Sequence, residues 1–307
     1  DITVQDSTAM DKVFNFVLDS TTATKTITVS DITPVDDTAK SETVTITTKG
    51  VGKVVADVDT NFGTQSDTNA DTLKVDASAN SGGTTIDYSD TNKPRTLTFT
   101  GGTGNDNLIV DAGGLDKYDT IALGAGTEDT VTMTADLRDN DADLFYTDAT
   151  TAANLPTFTG VEIAAINLNG ANDAHTASVG SADFASTICL LDDLSDHVTT
   201  VDKIKVGSTV KLGATLNISD AAGGLILTQA GATSTAPSAS LNITSDLLVS
   251  GIAARSIITA LKVNETSAVT FALDATSDTT ITNVVVSDLQ AAKASSVTVT
   301  SAENLTF

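Results

Sequence analysis

The sequence predicts an elongated all-β fold, built from parallel β-roll turns together with β-solenoid or β-sandwich segments. Three observations carry this expectation: runs that alternate apolar and hydroxyl residues, a composition suited to thin layers, and clusters of turn residues between the runs. Thr26-Ile-Thr-Val, Thr43-Val-Thr-Ile-Thr, Thr96-Leu-Thr-Phe-Thr and Val297-Thr-Val-Thr all have period two. Such alternation places Val, Ile, Leu and Phe on one face and Thr on the other. These runs read as antiparallel-like strands or as solenoid edges with one wet side. The composition agrees, with no Trp, three Tyr and abundant Thr, Val and Ala in 307 residues. β-branched residues fit a pleated surface better than a helix. Asp, Gly, Asn and Ser collect between the runs, which is turn chemistry.

Three regions follow along the chain. Residues 1–135 form a β-rich region whose glycine-aspartate turns lie at 101–131. Residues 136–205 are mixed, with an acidic run from Asp136 to Asp148 and a candidate short helix or stacked loop starting at Ala182. Residues 206–307 form a repetitive solenoid or sandwich. There Leu216-Asn-Ile-Ser, Leu241-Asn-Ile-Thr, Leu261-Lys-Val-Asn, Ile281-Thr-Asn-Val and Val297-Thr-Val-Thr begin 16 to 25 residues apart. A spacing near 20 suggests stacked coils.

Charge excludes several partners. The formal net charge is −24, from 40 acids and 16 bases, and only five of the acids are Glu. Short carboxylates on tight turns favour Asp, and Asp is a usual ligand of hard cations. Nucleic acid needs clustered Lys and Arg, so it is not an expected partner. No run approaches the ~18 apolar residues of a membrane span, and Asp1-Ile2-Thr3-Val4 reads as a strand, not as a signal peptide. Cys189 has no partner for an internal disulfide and reads as a buried small hydrophobe.

The chemistry concentrates at residues 101–109, Gly-Gly-Thr-Gly-Asn-Asp-Asn-Leu-Ile. This fits every fixed position of the nonapeptide G-G-x-G-x-D-x-U-x. The glycines permit a tight turn that aims carbonyls inward, Asp106 adds a carboxylate, and Leu108 points into the core. A Ca²⁺ ion takes six to eight oxygens, so one turn alone supplies too few. Two near-copies follow, Gly113-Gly-Leu-Asp-Lys-Tyr-Asp ending at Asp119 and Gly124-Ala-Gly-Thr-Glu-Asp ending at Asp129. Upstream, Asp71-Thr-Leu-Lys-Val-Asp repeats the part of the pattern that follows the glycines. In a two-sided roll, alternate turns share a side. The expected Ca²⁺ ligands are therefore Asp106 and Asp129, with carbonyls from Gly102, Gly104, Gly124 and Gly126. Asp116 and Asp119 would serve a second ion or cap the stack.

These turns resemble the RTX calcium-binding repeats of Gram-negative proteins exported by type I secretion. The acidic, Thr-, Ala- and Asp-rich chain resembles RTX-bearing surface-layer (S-layer) proteins. Phe158-Thr-Gly-Val-Glu-Ile-Ala-Ala-Ile-Asn-Leu is similar to a segment that follows RTX turns in such lattice proteins. The resemblance implies an extracellular structural protein at a bacterial cell surface that self-assembles into a calcium-dependent lattice. It also implies a C-terminal secretion signal and an anchoring domain for surface polysaccharide. Neither is clear in these residues, which fits a processed or excised part of a longer protein. The alternative is an RTX adhesin or biofilm-matrix module that binds another surface.

An enzyme is not expected. With three Arg, two His and three Tyr, the chain lacks the clustered side chains of a carbohydrate-cleaving groove. His175 and His197 show no third partner for zinc or a triad. Asp139, Asp141 and Asp143 begin like an EF-hand loop, but Leu144 and Thr150 replace its glycine and glutamate. Asn217, Asn242, Asn264 and Asn304 match the N-glycosylation acceptor pattern by composition alone. The Thr-x-Thr runs are spaced too irregularly along the sequence for an ice-matched array.

Overall fold

The computed structural model describes residues 2–4, 12–30, 32–34, 42–58, 71–89, 96–111, 115–136, 156–169, 175–182, 184–193, 198–212, 224–229, 241–246, 255–258, 261–264, 268–274, 283–286, 289–290, 294, 296–301 and 304–306. The chain divides into two compact units. One comprises Asp1–Met133 with Phe145–Ile163, the other Thr134–Leu144 with Ala164–Phe307.

In the first unit the chain alternates between two sheets. The first sheet holds β2 (Lys12–Ser20), β5 (Glu42–Gly50), β7 (Thr72–Asn80), β9 (Thr96–Thr100), β11 (Thr120–Ala122) and β13 (Thr157–Thr159), in that spatial order. The second holds β3 (Thr26–Val29), β6 (Lys53–Asp57), β8 (Thr84–Tyr88), β10 (Asn107–Asp111) and β12 (Thr130–Asp136). A short parallel pair, β1 (Ile2–Val4) with β4 (Ile32–Pro34), accompanies them. Each circuit adds one strand to each sheet, and all described pairings are parallel, for instance Thr72 with Thr96 and Asn107 with Thr85. The antiparallel and sandwich alternatives are thereby excluded for the described strands.

The alternation in sequence becomes alternation in burial. Val44, Leu73 and Leu97 stack in one column of the first sheet, and Ile46, Val75, Phe99 and Ile121 in the next. All are 2% exposed or less. Ile86, Leu108, Tyr88 and Val110 do the same on the second sheet. Each fully buried aliphatic contributes about 1.5–3 kcal/mol against leaving it in water. Because side chains alternate with period two, a one-residue slip would turn a whole column outward, so these columns fix the register.

The second unit is also a stack of parallel strands. Thr187–Asp193, Thr209–Leu212, Leu241–Asp246, Ala268–Asp274 and Ser296–Ser301 share a sheet. His175–Ser178, Val198–Ile204, Gly224–Gln229, Leu261–Asn264 and Leu289–Gln290 form a second sheet, and Arg255–Ile258, Asn283–Val286 and Asn304–Thr306 a third. Here the structure corrects three expectations. The spacing near 20 does not measure a coil: Leu241, Leu261 and Asn283 lie on three different sheets, and Leu241 stacks on Val269, which stacks on Val297. The segment starting at Ala182 is no α-helix; a single 3₁₀ turn at Gly180–Ala182 leads into the strand Thr187–Asp193. Val297, expected on the apolar face, is 45% exposed, on the outermost described strand of its sheet. The acidic positions Asp139, Asp141, Asp143 and Asp148 lie outside the described residues, as do His197 and Asn217. Cys189 is buried.

Candidate functional site

The glycine-aspartate turns occupy the corner where the chain passes from the first sheet of the first unit to the second. Turn 101–106 joins β9 to β10, and turn 123–129 joins β11 to β12. The two stack directly: the amide of Ala125 donates to the Gly102 carbonyl at 2.9 Å. Gly124 has φ +98°, a conformation L side chains rarely adopt, and a Cβ there would run into the Gly102 carbonyl oxygen. Glycine at this position is set by both backbone twist and close approach.

Asp106 and Asp129 each stand one residue before a second-sheet strand, and both are essentially fully buried. Their carboxylates are held by backbone amides. Asp106 accepts from the Thr84 amide at 2.6 Å through Oδ1 and from the Gly102 amide at 2.8 Å through Oδ2. Asp129 accepts from the Asp106 amide at 2.7 Å through Oδ1 and from the Gly126 amide at 3.0 Å through Oδ2. The amide of Asp129 in turn donates to Glu162 Oε2 at 2.9 Å. An acidic ladder therefore climbs the corner from Thr84 through Asp106 and Asp129 to Glu162. Each rung comes from the next coil, 22, 23 and 33 residues later.

Below the ladder, hydroxyl and amide groups continue the buried polar line. Thr84 Oγ1 lies 2.7 Å from Thr48 Oγ1 and accepts from Asn80 Nδ2 at 3.2 Å. Asn80 Oδ1 accepts from the Gly82 amide at 2.7 Å, closing the tight turn before β8.

The electrostatics set this corner apart. Burial pushes the Asp106 carboxyl up to about 6, and the nearby Asp129 charge adds to the rise, while the amides of Gly102 and Thr84 pull it back. Burial also raises Asp129, with the Glu162 charge contributing. The ladder thus concentrates negative charge in a dry corner where its members repel.

Asp119 follows the same plan at the opposite corner, before the first-sheet strand β11. Its Oδ1 accepts from the Leu97 amide and its Oδ2 from the Asp116 amide, both at 2.7 Å. Asp116 Oδ1 accepts from the Tyr118 amide at 2.8 Å. Asp71, which precedes β7, belongs to this corner as well and is also buried. The four Asp-x-aliphatic copies read from the sequence are therefore two pairs, one on each side. Gly113 and Gly114 lie outside the described residues.

The donor chemistry suits a hard cation: carboxylates and turn carbonyls, all oxygen. Each bonded carboxylate oxygen keeps a second lone pair, and a cation would offset the burial, and the lesser charge repulsion, that raise Asp106 and Asp129. Among the described residues, no three His, Cys, Asp or Glu side chains converge as a ready-made metal cluster. A cation here would accordingly draw on two carboxylates, on turn carbonyls such as those of Gly104 and Gly126, and on water. The carbonyl of Gly102 already accepts from Ala125.

Four participants escaped sequence reasoning. Asn80 and Thr84 sit in an Asn-Ser-Gly-Gly-Thr stretch whose paired glycines mark the turn, but no aspartate flags it. Glu162 lies in the Gly-Val-Glu segment, whose pattern was visible without its role. Asn105 Oδ1 accepts from the Thr127 amide at 3.1 Å and so ties the two turns together from outside.

Comparison of the chain with protein families, with curated proteins and with solved structures finds no match.

Proposed function

We propose that this chain is a structural protein of a bacterial surface layer, exported and self-assembling outside the cell, whose folding and assembly depend on Ca²⁺ at the Asp106–Asp129 corner. The observation that carries the reading is the stacking of two glycine-aspartate turns in a parallel solenoid, with both carboxylates buried and repelling. A chain of charge −24 resists compaction and crowding of its copies. Bound Ca²⁺ would supply positive charge at this corner, and its binding free energy would appear as stability of the folded state. The chain's own groups hold the two turns in register: Gly124 permits the close approach, and the Gly102, Gly126, Thr84 and Asp106 amides orient the carboxylates. The remaining lone pairs of those carboxylates are the ones available to an ion.

Electron microscopy of purified protein with and without millimolar calcium, paired with metal analysis, tests the reading. Ordered sheets that form with calcium and dissolve on chelation are expected. Sheets that persist unchanged in excess EDTA would overturn the calcium dependence, and protein that binds no calcium would overturn the site.

A further inference from the structure

The outward face of the first sheet in the first unit differs in character from the rest of this acidic chain. Its threonines, irregularly spaced in sequence, fall into register in space. Thr43 pairs with Thr72 and Thr72 with Thr96, while Thr98 pairs with Thr120 and Thr120 with Thr157. These positions alternate with the buried column residues and so face away from the core. Among the described outward positions of the sheet the charges number four, and they cancel. Lys49 pairs with Asp19 at 3.1 Å, and Lys74 stands two residues from Asp76 on β7. β9, β11 and β13 carry no charge on this face at all.

We infer that this threonine face is a contact surface for a second copy of the chain, packed sheet to sheet. The inference rests on the assembly reading above and names the surface it would use. Charge favours a second copy. Two chains of −24 repel wherever their acidic surfaces meet, and a neutral face is where that repulsion is least. Threonine suits the contact: its χ1 is stiff, so little rotamer freedom is lost, and it offers a methyl and a hydroxyl to a neighbour. Aligned sheets pack about 10 Å apart with side chains interdigitating. An isologous pairing, the same patch on both copies, needs no second specialised surface.

Area fixes the strength of the contact. Six strands averaging about six residues give a face roughly 25 Å by 20 Å, on the order of 500 Å² per copy. A stable pair in solution buries about 800 Å² per partner. This surface therefore makes a weak pairwise contact that fills only at high protein concentration.

The test is sedimentation velocity across a concentration series, in calcium and in EDTA, on the whole chain. It compares the unsubstituted protein with Thr98→Glu/Thr159→Glu, which charges this face, and with Thr28→Glu, which charges an exposed position on the second sheet. The double variant is expected to associate about tenfold more weakly, and Thr28→Glu to match the unsubstituted protein, with all three giving the same circular dichroism. Should the double variant lose its fold, Thr98→Lys/Thr159→Asp, which keeps the face neutral, must still associate. Equal association by the double variant, or equal loss in Thr28→Glu, would overturn the surface. So would an unsubstituted protein that stays monomeric throughout, and ice shaping by that monomer would reassign the face to ordered water. Association that is identical in EDTA would instead sink the calcium reading and leave the surface standing.

Discussion

The backbone amide of Asp106 donates to Oδ1 of Asp129 across 2.7 Å, joining two turns 23 residues apart. The residue expected to share an ion with Asp129 is thus also its hydrogen-bond donor. One aspartate uses its amide and its carboxylate in opposite directions along the stack. This dual use means that fold stability and ion affinity can be separated by choice of substitution.

At Asp129, alanine and asparagine should behave differently. Asp129→Ala leaves the amides of Asp106 and Gly126 without an acceptor, and each unsatisfied buried donor costs about 1–3 kcal/mol. A fall of roughly 2–4 kcal/mol in unfolding free energy, measured by urea titration in EDTA, is expected. Asp129→Asn retains one acceptor oxygen and removes the charge. It should cost less in EDTA yet weaken calcium binding at least about tenfold by calorimetry. Equal calcium affinity in the asparagine variant would remove Asp129 from the ligand set.

Gly124 and Gly207 offer a matched comparison. Both have positive φ, +98° and +87°, but a Cβ at Gly207 meets nothing within 4 Å whereas one at Gly124 strikes the Gly102 carbonyl. Gly207→Ala should cost only the left-handed backbone strain, about 1–2 kcal/mol. Gly124→Ala should cost clearly more, because the stack itself must open. Thermal melts of the two variants check this, and equal losses would mean that the turns do not press together.

Acid should stabilise the calcium-free protein. The Asp106 carboxyl is raised to about 6 from 3.8 and Asp129 is raised as well. Between those values the folded chain binds more protons than the unfolded one, so this contribution is full below pH 3.8 and fades as pH rises through about 6. Calcium prefers the ionised carboxylates, so its own stabilisation should grow over the same range. Melting temperatures from pH 4 to 8, in EDTA and in calcium, should diverge as pH rises. Parallel curves would show that these two carboxyls do not control the response.

Glu162→Gln should lower the Asp129 carboxyl, since the Glu162 charge is one of the causes that raise it. The glutamine carbonyl can still accept from the Asp129 amide, so stability should change by less than about 1 kcal/mol. Carboxyl NMR titration reads the shift directly. No movement of Asp129 would mean that Glu162 is not felt across the rung.

Much of the fold was legible because its physics is local. Period-two alternation in Thr43–Thr47 and Thr96–Thr100 dictated which residues turn inward, and the glycines at 101–104 dictated a tight turn. The alternating runs alone did not give strand direction, because they read identically in parallel and antiparallel sheets; the glycine-aspartate turns at 101–131 pointed to a parallel roll, and the strands around them are parallel. The three-sheet coil of the second unit stayed hidden for a related reason: Leu241, Leu261 and Asn283 look alike locally and differ only in what they stack on. At the site, the aspartates stood out by residue type. Their amide partners did not, because Thr84 and Leu97 contribute only a backbone N–H, which every residue but proline carries. Glu162 was missed because its rung spans 33 residues, beyond the spacing set by the other turns.

Every rung of the ladder points the same way, with an acid from a later coil satisfying an amide of an earlier one. A chain emerging amino end first cannot finish a turn of the spiral until the following turn arrives to close it. The stack is therefore directional, each turn being closed by the one that follows it in the chain. Glu162→Ala should then loosen the turn at 123–129 more than the turn at 101–106.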